Sequence, residues 1–126
     1  MSENGNKSEE AFRALVRVLD AAVRAGANSV GLEREGGDLM VVHYFGSRGL
    51  AEGPIPKEVE QAVLEEIVSR AGLVDKPRGE MRLSLAGNDY KVIVDERESF
   101  GESAFNLLLK QSTRSRKGFG EPRASP

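Results

Sequence analysis

Few side chains in this sequence are of types that do chemistry, and they are scattered. The chain has one histidine, His43, and no cysteine, which excludes disulfides, thiolate nucleophiles and thiolate metal sites. His43 has only apolar neighbours on a spacing of two, and no second histidine stands ready to share a metal or a proton. It is expected to be a buried or half-buried structural residue. Glu58, Glu60, Glu65 and Glu66 cluster in one stretch. Carboxylate pairs can work as general acid and base, but acids in the first turn of a helix also complement its dipole, and that explains them without catalysis. Arg13, Arg17 and Arg24 form a basic stripe, read as the solvated face of an amphipathic helix rather than as a docking site. No catalytic residue, cofactor site or metal site is therefore assigned, and the chain is not expected to be an enzyme.

The composition is that of an ordinary globular domain: 126 residues, 39% hydrophobic and 30% charged. A formal net charge of −2 and a pI near 5.5 do not supply the cationic field that nucleic-acid binding needs. No apolar run approaches the roughly 20 residues of a membrane span, and Met-Ser-Glu-Asn-Gly-Asn-Lys lacks a signal peptide's apolar core. A cytoplasmic location is the expectation.

The elements that must position these residues centre on 25–45. Gly26 can close a helix in the left-handed conformation. Val30 and Leu32 then alternate with Gly31 and Glu33, Glu35-Gly36-Gly37-Asp38 turns, and an apolar run from Leu39 to Phe45 follows. That run carries Leu39, Val41, His43 and Phe45 on one face, and Met40, Val42 and Tyr44 on the other. Both faces are apolar, so the strand is either covered on both sides or awaiting a partner.

Before this hairpin, residues 1–7 are polar and expected to be disordered, with Ser8 as the N-cap of a first helix. Phe12, Leu15, Val16, Leu19, Ala22 and Val23 face inward, and Glu9 and Asp20 stand four residues before Arg13 and Arg24. After the hairpin, Gly46 to Pro56 reads as a loop. A second helix over Lys57 to Arg70 turns Val59, Ala62, Val63, Ile67 and Ala71 inward and stops at Gly72, with Leu73-Val74 tucked into the core. A second hairpin alternates Met81, Leu83 and Leu85, turns at Gly87-Asn88-Asp89 and returns through Tyr90, Val92 and Val94, which leaves Ile93 on the outer face. Asp95 to Glu102 reads as a charged loop, and Ser103 to Lys110 as a closing strand, with helix as the alternative. From Gln111 to Pro126 a basic, Gly-, Ser- and Pro-containing segment has no burial pattern and is expected to be a disordered tail.

This order of elements, with Gly26-Ala27 and Glu33 around the first strand, Ala71-Gly72-Leu73 after the second helix, and Gly101-Glu102 before the last strand, resembles the PAS-like N-terminal domain of the type II secretion and type IV pilus hexameric ATPases. The resemblance covers roughly residues 12–110. Family members read Gly-Ala-Ser-Asp-Ile-His-Ile-Glu at the first strand; Val30 and Leu32 are conservative replacements, while Asn28, Ser29 and Gly31 depart. The family's two arginines before an Ile-Asp-Gly turn are missing from His43-Tyr44-Phe45-Gly46-Ser47-Arg48-Gly49, and Asn106 takes a further arginine's place. Those ATPases also carry a phosphate-binding loop beyond this domain. Gly118-Phe119-Gly120 is not followed by Lys-Ser/Thr, so no ATP binding or hydrolysis is expected.

The sequence thus predicts one α+β domain over 8–110, an antiparallel sheet of about four to six strands flanked by two amphipathic helices and PAS-like in type. The resemblance implies a non-catalytic protein–protein interaction module that docks on secretion or pilus machinery. A PAS-like small-ligand sensor is the alternative. The candidate interaction surface is Met40, Val42, Tyr44 and Ile93, for a protein partner or a second copy of the chain.

Overall fold

A computed structural model describes residues 3–99 and 102–112. The chain runs α1 (Glu3–Ala25), β1 (Ser29–Glu35), β2 (Asp38–Phe45), β3 (Arg48–Pro54), α2 (Lys57–Ala71), β4 (Arg78–Leu85), β5 (Asn88–Ser99) and β6 (Glu102–Gln111). Each helix is followed by a three-stranded meander. The two meanders join edge to edge in one antiparallel six-stranded sheet of order β3-β2-β1-β6-β5-β4. This is the α+β, two-helix, antiparallel architecture expected from the sequence, at the upper end of its strand count.

Both helices end in Arg-Ala-Gly, and both close in the same way. Gly26 (φ +87°) and Gly72 (φ +70°) take the left-handed conformation. The amide two residues past each helix then reaches back five residues, Ala27 N–H to the Ala22 carbonyl and Leu73 N–H to that of Val68, both at 2.9 Å. The helices pack side by side on one face of the sheet. Ala11, Ala14, Leu15, Leu19 and Ala22 of α1 and Val59, Val63, Ile67 and Ala71 of α2 meet the inward alternates of the strands: Val30, Leu32, Leu39, Val41, Met81, Leu83, Leu85, Val92, Val94, Phe105 and Leu107. Period 3.6 on the helices and period 2 on the strands give each element one buried side.

Polar contacts fasten the layers. The Asp20 carboxylate of α1 accepts the Ala86 amide at 2.6 Å, gripping the β4–β5 turn, and the Arg24 guanidinium at 2.8 Å. Arg24 foremost, then the Ala86 amide, holds the Asp20 carboxyl below its ordinary range. Glu60 of α2 accepts from Arg34 at 2.7 Å and from the Leu39 amide at 3.2 Å, tying α2 to the β1–β2 hairpin; Arg34 chiefly lowers its pKa. Arg70 stacks on the Phe12 ring at 3.8 Å, joining α2 to α1.

Several expectations need correction. α1 begins at Glu3, so residues 3–7 are helical. Ser8 lies inside the helix instead of capping it, and its hydroxyl donates to Glu66 of α2. The stretch read as a loop after Gly46 contains β3, whose residues are almost all exposed because it is an edge strand; pairing with β2 holds it without burial of its own. The charged stretch from Asp95 belongs largely to β5, where Asp95 to Ser99 pair with β6 from Asn106 back to Glu102. Finally, Leu73 is buried but Val74 is 80% exposed. Gln111 closes β6 opposite Tyr90, and Ser112 donates its amide to the Asp89 carbonyl. The remainder of the expected tail, 113–126, lies outside the described residues, as do residues 1–2.

Candidate functional site: the outer face of the sheet

Because both helices occupy one side, the outward alternates of every strand line a second face that no described element covers. Met40, Val42 and Tyr44 reach it from β2, and Ile93 from β5. The register sets Ile93 opposite Leu108, Leu108 opposite Ser29, and Ser29 opposite Tyr44, so Ile93 and Tyr44 stand in one row across four strands. At about 4.8 Å per strand they are roughly 14 Å apart. Leu108 fills the gap beside Ile93. It was not singled out from the sequence, although the apolar run Leu107-Leu108-Leu109 required one of the three to point away from the core.

Between Leu108 and Tyr44 the face is low. Ser29 and Gly31 of β1 form its floor, with Ala104 and Asn106 on β6 and Gly49 and Ala51 on β3. Tyr44 lies down on this floor. A Cβ at Gly31 would come 3.0 Å from the Tyr44 Cε2, and one at Gly49 would come 2.8 Å from its Cε1. The ring occupies space that only two glycines leave free. Its hydroxyl donates to Glu33 Oε2 at 2.6 Å, and that hydrogen bond, more than burial, raises the phenol pKa. Val42, on the same strand, is only 8% exposed. It therefore offers little surface, and Met40, Tyr44, Ile93 and Leu108 are the half-buried apolar side chains of the face.

Charge of both signs lies along the strands, with Glu80 beside the basic side chains at one end and Arg78 and Arg97 toward the other. Arg82, Lys91 and Lys110 form a basic row across β4, β5 and β6, while Glu33 and Glu35 lie toward the opposite end on β1. Lys91 and Arg82 lean toward Glu80 at 4.0 and 3.9 Å, and Arg78 pairs with Asp95 at 3.6 Å.

The side chains considered for catalysis do not converge. Glu66 is held by Ser8 and Arg70, and Glu60 by Arg34, so both acids serve the packing of α2. No group of three or more His, Asp or Glu side chains that could hold a metal occurs among the described residues. No helix among the described residues is long and apolar enough to cross a membrane. His43 is 4% exposed on the helix-covered side, with Nδ1 3.7 Å from Glu52 Oε2. Both line a cleft of about 240 Å³ between α1 and the β2–β3 edge, together with Arg17, Val18, Ala21, Val41, Gly53 and Pro54.

Comparison of the sequence with models of known protein families gives no match, and comparison with curated proteins gives none either.

Proposed function

We propose that this domain is a non-catalytic docking module that associates through the outer face of its sheet, and that the occupant of that face is a second copy of the same chain. What supports this is the row of half-buried apolar side chains, Ile93, Leu108, Tyr44 and Met40, on a face that no described element covers. A two-fold axis lying in the face and running across the strands sets each strand over its own counterpart with its direction reversed. It also brings Ile93, Leu108, Tyr44 and Met40 of both copies together. Two sheets stacked about 10 Å apart in this way make a sandwich, the usual means of drying a sheet face. Each Å² of apolar area covered contributes about 25 cal/mol before the entropy of association is subtracted.

The finer family reading, a relative of the N-terminal domain of type II secretion and type IV pilus ATPases, rests on the sequence resemblance over about 12–110, and the structure supports only its general α+β shape. Under that reading the module acts on secretion or pilus machinery in the cytoplasm without hydrolysing ATP.

Sedimentation equilibrium at low and high salt tests the docking reading. Dimer mass at micromolar concentration at both salts is the expected result, because an apolar contact is not screened by salt. A monomer at every concentration and salt overturns it.

A further inference from the structure

The cleft between α1 and the β2–β3 edge is a separate feature on the opposite side of the sheet, and it holds an unsatisfied group. His43 is 96% buried, yet neither ring nitrogen has a hydrogen bond among the described residues; Glu52 Oε2 stands 3.7 Å from Nδ1. Buried polar atoms are ordinarily paired, because leaving one unpaired forfeits its hydration without return. The fold also makes an effort to bring Glu52 here. The β2–β3 register shifts at Val41/Val42, so that Val42 faces Ala51 while Val41 faces Gly53, and Glu52 is the extra residue of a bulge. Gly53 takes φ +129° to permit it. Bulges of this kind re-aim side chains next to functional sites. On the opposite wall, α1 supplies Arg17, which has no ion pair among the described residues. The walls between are apolar: Val18, Ala21, Val41 and Pro54.

We propose that this cleft binds a small zwitterion of the α-amino acid type with an aliphatic side chain. Its carboxylate accepts from the Arg17 guanidinium and from an imidazole N–H of His43, its ammonium donates to Glu52, and its hydrocarbon part lies on Val18, Ala21, Val41 and Pro54. The opposite charges on the two walls select a molecule carrying both signs. The volume, about 240 Å³, lies just below the range of about 300 Å³ and upward typical of drug-sized ligands and suits a single amino acid.

His43 is the only histidine in the chain, so its imidazole resonances are a single, unambiguous reporter. In an NMR titration of the full chain, L-leucine is expected to move them saturably. 4-Methylpentanoate, which lacks the ammonium, and isoamylamine, which lacks the carboxylate, are each expected to bind weaker by about tenfold or more, the loss of one charge-assisted hydrogen bond. Arg17→Gln should weaken leucine to the same degree. Ala21→Leu should abolish its effect by filling the cleft; both positions are exposed on α1, so both variants keep the wild-type melt. No saturable shift with leucine overturns the proposal. So does equal binding of 4-methylpentanoate, or leucine binding that Arg17→Gln and Ala21→Leu leave unchanged.

Discussion

The Tyr44 hydroxyl donates to Glu33 Oε2 at 2.6 Å across neighbouring strands, and the ring that carries it lies over the space left by Gly31 and Gly49. This arrangement lays the Tyr44 ring along the sheet instead of standing it off the surface, which sets how much apolar surface the outer face presents. Because the hydrogen bond raises the phenol pKa, its stabilisation is fully present below the unfolded value. It is lost as pH rises through the higher folded value. In a spectrophotometric titration, Glu33→Gln should bring one of the two tyrosines down toward its ordinary value of 10.0. An unchanged curve would show that Glu33 does not govern the ring.

The acid limb of stability has a different origin. Asp20, Glu60 and Glu66 are all held below their ordinary values, chiefly by Arg24, Arg34 and Ser8 respectively. A depressed folded pKa contributes stability that is present above the unfolded pKa and is lost as pH falls through the folded one. The melting temperature should therefore be flat through neutral pH and fall as the solution is acidified through and below the carboxylate range. Glu60→Gln, which weakens the clamp on Arg34 and the Leu39 amide, should lower the neutral-pH melt and shrink the acid-dependent part of the fall. An acid profile identical to wild type would contradict that role for Glu60.

Sheet and helix backbones come close together at Gly79. A Cβ there would lie 1.9 Å from the Ala71 carbonyl oxygen and 3.2 Å from Leu73 Cδ2. Neither the helix end nor the buried leucine can yield cheaply. Gly79→Ala should cost about 1–3 kcal/mol, the usual penalty of overpacking. For a domain of this size that is a fall of several degrees, at about 4 °C or more per kcal/mol, measurable by thermal denaturation. A melt within about 1 °C of wild type would mean that β4 can move off α2 freely, against a penalty of that size.

Much of this architecture is legible in the residues because burial writes a period into them. Leu15, Leu19 and Ala22 on α1, Val59, Val63 and Ile67 on α2, and Met81, Leu83 and Leu85 on β4 are spaced as their elements require, and the glycine stops at Gly26 and Gly72 carry a backbone constraint that other residues meet poorly. What the sequence hides is structure held by pairing alone. Leu50 of β3 is 57% exposed, and no alternation marks that strand, since it borrows its hydrogen bonds from β2 and buries nothing. The same holds for the charged end of β5. At the candidate site, Met40, Tyr44 and Ile93 are visible as apolar residues of the wrong parity. The burial of Val42 and the flat-lying Tyr44 ring are not, because the room for that ring comes from two glycines distant in sequence. The cleft at His43 is hidden too, since a one-residue bulge brings Glu52 toward the histidine.

The outer face is the centre of this account, and static light scattering of the wild type beside Leu108→Glu tests it most directly. Leu108 is half-buried on the face, opposite both Ile93 and Ser29, and lies outside the core packed by the helices. Val42→Glu is a poorer choice, because Val42 is only 8% exposed and a carboxylate there would be buried without a partner and would destabilise the fold itself. The prediction is a dimer mass for the wild type at tens of micromolar, a monomer mass for Leu108→Glu, and matching circular dichroism and concentration-independent melting for the variant. A wild type that scatters as a monomer, or a folded Leu108→Glu that keeps the dimer mass, would contradict it.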